Sequence, residues 1–426
     1  MLIFSIFADI KLYSMRKILL YAIATFLFYC NVFAQDSKRV LFIGNSYTEV
    51  NNLPQMVANV AQSMGDEITY SSNTPGGCTF MQHCTNQSMN LIRQGNWDAV
   101  VLQEQSQYPS FPQSQVEAEV FPYAQRLVDS VYAHSPCAEP MFYMTWGRKN
   151  GDAANAVYFP VLATYEGMDS MLCERYTYMA HTYDAALCPV GRVWHFLRQH
   201  YADLELYQSD GSHPSVAGTY AAACAFYVML FHRDPLLIHF DGGLDDNTAQ
   251  IIRSAVRTVV FERLSDWTRP EPEAAFEVES NLDSTISLTS HSLHANELTW
   301  DFGDGENLTT SDITVSHTYS SNGNYIITLT ASRHCMSDTA AETVVVQGTG
   351  IADHENEQTN FSFYPNPAQS TLTVKADGEV FIYDITGKLV MNAGPVIGNI
   401  LLNISQLKNG TYLIRCGNES KTFVKQ

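Results

Sequence analysis

Lys38-Arg-Val-Leu-Phe-Ile-Gly-Asn-Ser-Tyr-Thr48 runs from a short apolar strand through a Gly-Asn turn to a serine. From Leu53 to Met64 the apolar residues then fall at helical spacing, and Gly65 stops the run. A strand followed at once by a helix predicts the first unit of a parallel α/β sheet, with the serine at the carboxyl end of the strand. Further strands are expected at Glu67–Ser71, Trp97–Gln103, Met141–Thr145 and Ala185–Val190. Helical patterns occupy Gln113–Ala133, Val157–Met179, Pro214–Phe231 and Thr248–Trp267. Strands that alternate with helices over 37–268 predict a parallel sheet with helices on both faces. Functional groups then collect at the carboxyl ends of the strands.

The pattern changes after Trp267. Arg269-Pro-Glu-Pro-Glu273 reads as a stiff linker. Over 272–347 β-branched and polar residues alternate, which predicts a small antiparallel sandwich. Residues 348–360 read as a polar linker, and 361–426 as a second all-β module of short strands. The expected class is therefore α/β with two small all-β, Ig-like modules appended.

At the other end, Arg16 and Lys17 precede the apolar run Ile18–Phe28, and a small-residue site ends at Ala34. This is the layout of a secretory signal over 1–34 that starts functionally at Met15. The run is shorter than the ~20 residues of a membrane span, so the mature chain is expected to be exported without one. The 426 residues carry a net charge of −20, which excludes bulk electrostatic binding of nucleic acid or anionic lipid. Of the nine cysteines, six (Cys78, Cys84, Cys137, Cys173, Cys188, Cys224) lie in the first half of the mature chain. In an oxidising compartment disulfides are the expected state, and spacing does not choose among the pairings. A Cys78–Cys84 bridge would close a short loop beside Gly77. Cys78, His83 and Cys84 lack a second ligand pair at zinc-site spacing, so no metal is expected.

Ser46 needs a base. His213 in Asp210-Gly-Ser-His213-Pro214 stands just before a helix of the sheet region, and an Asp three residues earlier can reach back and fix the imidazole tautomer. Gly76-Gly77 can offer a backbone N–H to an oxyanion, and Gln103 or Gln105 a side-chain amide. Trp146-Gly147-Arg148 is a further candidate for lining the pocket.

Gly-Asn-Ser-Tyr-Thr (44–48), Gly-Gly (76–77), Leu-Gln-Glu-Gln-Ser (102–106) and Asp-Gly-Ser-His-Pro (210–214) together resemble the SGNH/GDSL hydrolase superfamily over about 39–235. The resemblance implies a flavodoxin-like sheet, Ser46 as nucleophile, His213 as base, Asp210 as its orienting acid, Gly77 as an oxyanion donor, and no cofactor. Asn45 stands where many members have Asp. The third block lacks the family's Gly-x-Asn, so a glutamine would have to replace the oxyanion asparagine. Trp300-Asp-Phe-Gly-Asp-Gly305 with His317-Thr-Tyr319 resembles a PKD domain, in which that run is a structural turn. Tyr364-Pro-Asn-Pro-Ala368, Asp384-Ile-Thr-Gly-Lys388, Leu407-Lys-Asn-Gly-Thr-Tyr412 and Lys421-Thr-Phe-Val-Lys425 resemble the C-terminal sorting domain of type IX secretion cargo. That implies passage through the periplasm of a Gram-negative cell to its surface or beyond, with the type IX machinery as partner. The expected activity is that of a secreted serine esterase that removes acetyl or similar acyl groups from polysaccharide or other carbohydrate substrates. The alternative is a non-catalytic surface protein that binds glycan on the same fold.

Overall fold

A computed structural model describes residues 35–280, 284–346, 361–417 and 419–426. The signal segment 1–34 and the linker 348–360 lie outside the described residues. The chain divides into two compact units, one ending at Val346 and the other beginning at Gln347.

In the first unit, strands β1 (Ser37–Ile43), β2 (Glu67–Asn73), β3 (Ala99–Leu102), β4 (Glu139–Tyr143) and β5 (Ala186–Cys188) form one sheet in the order 2-1-3-4-5. Every pairing in it is parallel. That order is the doubly wound, flavodoxin-like one, with the switch point between β1 and β3. The two-residue period of a strand sends neighbouring side chains into different cores. Val40 and Phe42 pack with helices Leu53–Ser63, Val190–His200 and Val216–Phe231. Leu41 and Ile43 pack with helices Phe121–His134 and Tyr165–Thr182 on the other face. β1 and β3 are buried on both sides, which is why they read as unbroken apolar runs.

The helix ends differ from their expected positions where local chemistry intervenes. Pro122, in the first turn of Phe121–His134, breaks the expected 113–133 helix at Val120 into Gln113–Glu119 and Phe121–His134. The expected 157–179 helix starts late, at Tyr165, because Thr164 Oγ1 caps it by accepting the Gly167 N–H at 3.1 Å.

The same unit continues into two antiparallel sheets. One has the order β10-β7-β6 and the other β12-β11-β8-β9. Here β6 is Phe276–Ser280, β7 Thr285–Ser290, β8 Glu297–Asp301, β9 Asn307–Thr310, β10 Thr314–Thr318, β11 Gly323–Arg333 and β12 Met336–Val346. Leu288, Trp300, Ile327 and Leu329 fill the space between them. A disulfide joins Cys137, just past the helix Phe121–His134, to Cys335 in the β11–β12 turn. Asp184 forms ion pairs with Arg333 (3.3 Å) and Arg269 (3.6 Å), and its carboxyl lies 3.2 Å from His334 Nε2. The His334 ring stacks on Tyr132 at 3.6 Å.

The expected Cys78–Cys84 bridge does not form; both are buried free thiols. A capping box between Thr79 and Gln82 winds the intervening residues into the helix Phe80–His83. Cys78 Sγ accepts from Asn86 Nδ2 at 3.5 Å, while the Cys84 thiol faces the Tyr123 carbonyl at 3.7 Å.

The second unit is an antiparallel sheet in the order β13-β14-β16-β17, with β15 paired to β14. Its strands are β13 Ser362–Tyr364, β14 Thr371–Asp384, β15 Leu389–Asn403, β16 Gly410–Cys416 and β17 Glu419–Lys425. Leu372, Val374, Ile382, Ile414 and Phe423 form its core. Among the described residues no helix is long and apolar enough to cross a membrane.

Peptide mapping of the non-reduced protein should recover a Cys137–Cys335 link and no Cys78–Cys84 link. Closing a loop of 198 residues limits the unfolded chain, so the double Cys137→Ser, Cys335→Ser variant should lose up to about 5 kcal/mol of stability by denaturant titration. An unchanged midpoint would show that the ion pairs around Asp184 hold the joint without the bridge.

Candidate active site

Gly44 follows β1 and is pressed against the end of β3. A Cβ there would come within 2.5 Å of Thr48 Oγ1 and 2.6 Å of Gln103 Oε1, so no larger residue fits. Gln103 Oε1 accepts from the Asn45 N–H and from Thr48 Oγ1, both at 2.9 Å. Its amide nitrogen donates to the Glu104 carbonyl. Asn45 is the N-cap of the four-residue helix Ser46–Glu49; its Oδ1 accepts the Tyr47 N–H at 3.1 Å. Asn45 Nδ2 donates to the Cys78 carbonyl at 3.2 Å, which docks the Gly77-Cys78 turn onto the serine turn.

His83 supports the turn from below. Its Nε2 lies 2.9 Å from the Gly44 carbonyl and its Nδ1 2.8 Å from Ser88 Oγ. A carbonyl can only accept, so Nε2 carries the proton. Burial lowers the His83 pKa to about 4, against the hydrogen bonds to Gly44 and Asn86 that favour charge, and the ring is neutral at pH 7.

Ser46 is half-buried at the helix start. Its Oγ lies 2.9 Å from His213 Nε2, across 167 residues of sequence. His213 Nδ1 lies 2.5 Å from Asp210 Oδ2, and Asp210 Oδ1 accepts the N–H groups of Ser212 (2.9 Å) and His213 (3.0 Å). Burial acts to raise the Asp210 pKa, but the His213 ring and these two N–H groups outweigh it and hold the carboxyl below its ordinary value. An ionised Asp210 fixes the proton on Nδ1 and leaves Nε2 to accept from the serine. The chain Ser46–His213–Asp210 is thus connected throughout by hydrogen bonds.

The expected oxyanion residues separate. Gly77 lies in an exposed turn with φ +67°, closed by Cys78 N–H donating to the Pro75 carbonyl at 3.1 Å. Gln103 is fully buried and committed at both ends, so it is not the open amide that the sequence suggested. Gln105 Oε1 accepts the N–H groups of Gln107 (2.9 Å) and Tyr108 (3.3 Å), which fixes the amide and leaves its NH2 end as donor. Trp146 is fully buried, stacked on Trp194 at 3.6 Å and on Tyr47 at 4.9 Å. Arg148 pairs with the buried Asp152 at 3.3 Å. A polar cavity of about 400 Å³ opens beside Asp210, lined by Lys149, Asn150, Glu205, Gln208 and Ser209 among others.

Sequence reasoning missed Glu104, whose carboxyl caps the helix Phe80–His83 by accepting the Phe80 N–H at 3.0 and 3.1 Å and the Gln105 N–H at 2.5 Å. Only its place beside Gln103 and Gln105 could have drawn attention to it.

Two family models match the chain: a PKD domain over residues 267–348 and a secretion system C-terminal sorting domain over 362–426. The chain carries both domains, and the second implies the type IX machinery and export to the cell surface or beyond. No curated protein matches. Among solved structures, a DUF4886 family protein from Bacteroides uniformis is similar at 17% identity, covering 55% of this chain and 97% of its own, with a TM-score of 0.47. A protein from Slackia heliotrinireducens described as an SGNH hydrolase is 27% identical, covering 45% of this chain and 97% of its own, at TM-score 0.37. One from Parabacteroides merdae described as a GDSL-like lipase is 11% identical, covering 46% and 96%, at TM-score 0.34.

Glu104 makes the stability of this region depend on pH. Burial pushes its pKa up to about 8, against the N–H groups of Gln105 and Phe80 that favour the charged form. The folded value lies above the unfolded one, so the stabilisation is complete below about pH 4.5 and is lost as pH rises to about 8. Melting temperature should fall between pH 5 and pH 8, and more steeply in the wild type than in Glu104→Gln. Equal slopes in scanning calorimetry would show that Glu104 does not titrate in this range.

Proposed function

We propose that the protein is an exported serine hydrolase of SGNH type that removes acyl groups from polysaccharide. The observation that carries this reading is the continuous hydrogen-bond chain from Ser46 Oγ through His213 to Asp210. Ser46 Oγ attacks the ester carbonyl as His213 Nε2 takes its proton. The negative charge that develops on the carbonyl oxygen is met by backbone N–H groups at Ser46 and Gly77 and by the Gln105 amide. Collapse breaks the ester C–O bond, and His213 returns its proton to the departing alkoxide. Water then attacks the acyl-Ser46 carbonyl, losing a proton to His213; the carboxylic acid leaves and Ser46 is reprotonated. Asp210 stays ionised throughout and supports the imidazolium. In this scheme Gln103 positions the serine turn and takes no direct part.

The substrate assignment rests on the company the site keeps. The cavity beside Asp210 is lined by amide, hydroxyl and charged groups, which suit a hydroxyl-rich ligand better than an acyl chain. A PKD domain and an export signal suit a substrate met outside the cell. A second reading, a surface protein that binds glycan without hydrolysing it, is favoured by one observation: the buried Gln103 is withdrawn from the oxyanion position.

A fluorophosphonate probe separates the two. Labelling of the wild type that disappears in Ser46→Ala supports the hydrolase, and hydrolysis of acetylated glycan should then fall at least about 10³-fold in Ser46→Ala and His213→Ala. Glycan binding without labelling supports the receptor. Gln105→Ala should lower kcat by about 10²-fold with little change in KM if its amide meets the oxyanion. A chain ending near 348 should keep full hydrolysis when purified but stay in the periplasm of its host. Loss of activity in that purified truncation would mean that residues 361–426 belong to the active enzyme.

A further inference from the structure

His213 is oriented by its own loop but placed by other elements. Its bonds to Asp210, and those of Asp210 to the Ser212 and His213 N–H groups, lie within four residues. They travel with the loop and cannot set its distance from Ser46. Contacts reach the loop from outside: the Lys149 N–H donates to the Gly211 carbonyl and the Gln208 N–H to the His213 carbonyl, both at 2.8 Å, and three side chains reach the residues on either side of His213. Tyr47 Oη and Ser212 Oγ share a hydrogen bond at 2.6 Å. Trp146 Nε1 donates to the Ser212 carbonyl at 3.1 Å. Asn51 Nδ2 donates to the Pro214 carbonyl at 3.1 Å and to Thr219 Oγ1 at 2.8 Å.

Tyr47 and Asn51 both belong to the segment that carries Ser46, and they grip the residues directly before and after His213. Asn51 reaches Pro214 from a left-handed backbone (φ 56°), a conformation asparagine tolerates. Tyr47 is 2% exposed, stacked on Trp146 at 4.9 Å, and meets the His213 ring edge-on at 5.4 Å. Burial raises the Tyr47 pKa despite its hydrogen bonds to Ser212 and Ser106, so the phenol keeps its proton at neutral pH. The ring is held by stacking while the hydroxyl is held by Ser212. The two functions therefore rest on different atoms and can be separated by removing one oxygen.

We propose that Tyr47 is a positioning residue which, through Ser212, sets the distance between His213 Nε2 and Ser46 Oγ, with Asn51 anchoring the far side of the same loop. The proposal rests on the hydrolase reading above. Proton transfer needs the two atoms within about 2.6–3.2 Å, and the tether spans the one gap that the Asp210 bonds leave unset.

The test is a double-mutant cycle on the full chain with Tyr47→Phe, Ser212→Ala and the pair, reading the rate of fluorophosphonate labelling at Ser46. Each single variant should label about 10- to 10²-fold more slowly, the scale expected for a misplaced catalytic group. The double variant should be no slower than the slower single, because both changes cut one bond. Wild-type labelling in Tyr47→Phe, or single effects that multiply in the double, would overturn the proposal. Should the wild type itself fail to label, the hydrolase reading fails, and the clamp is read instead from the imidazole ¹⁵N resonances of His213. A shift of the Nε2 signal in Tyr47→Phe supports the clamp, and an unmoved signal overturns it.

Discussion

The pair of hydrogen bonds accepted by the buried oxygen of Gln103 is the contact on which the rest of the site hangs. One oxygen at the end of β3 receives the N–H of Asn45 and the hydroxyl of Thr48, and so ties the turn after β1 to the neighbouring strand. The tie requires Gly44, because any Cβ would occupy the space of that oxygen. It also requires that the Gln103 amide nitrogen be satisfied, which the Glu104 carbonyl does. An unsatisfied amide buried at this depth would cost ~1–3 kcal/mol. Once the turn is fixed, Asn45 can cap the helix, Ser46 stands at its first position, and the Gly77 turn docks through the Cys78 carbonyl.

Around this anchor the site is assembled from segments far apart in sequence. The nucleophile turn comes from the first strand, the Gly77 turn from beyond the second, and the imidazole from the loop before helix Val216–Phe231. Aromatic packing binds them: Tyr47, Trp146 and Trp194 form a continuous stack beneath the loop that carries His213. Their rings supply stiffness that the short hydrogen-bonded turns lack, and the Trp146 indole N–H adds a polar contact to Ser212 at the end of the stack.

Much of this was legible in the sequence. Periodicity located the five strands, because the apolar runs of β1 and β3 are buried on both faces and carry no polar interruption. The spacing of Asp210 and His213 anticipated their contact because both lie in one turn, where sequence distance fixes spatial distance. What pattern could not supply was direction. Gln103 and Gln105 are two residues apart and chemically identical, yet one side chain is sealed inside and the other anchored in the following turn. The cysteines failed for a related reason. Proximity of Cys78 and Cys84 in sequence was overridden by a capping box that wound the residues between them, while Cys137 found its partner in another domain. The roles of His83 and Glu104 left no trace in sequence pattern, since each serves backbone groups of a distant segment.

The cross-link between Cys137 and Cys335 bears on how the chain matures. Synthesis and translocation run from the N-terminus, so the whole parallel-sheet region emerges before Cys335 exists. During that interval Cys137 remains an unpaired thiol in an oxidising compartment, beside the five cysteines of the same region that end as thiols, Cys78, Cys84, Cys173, Cys188 and Cys224. Four of those five are buried, so prompt packing of the parallel sheet removes most of the competitors for mispairing. Closure of the correct bridge must then wait for the sandwich to fold and dock. The cross-link thereby acts as a seal: a molecule that carries it has brought the two domains together.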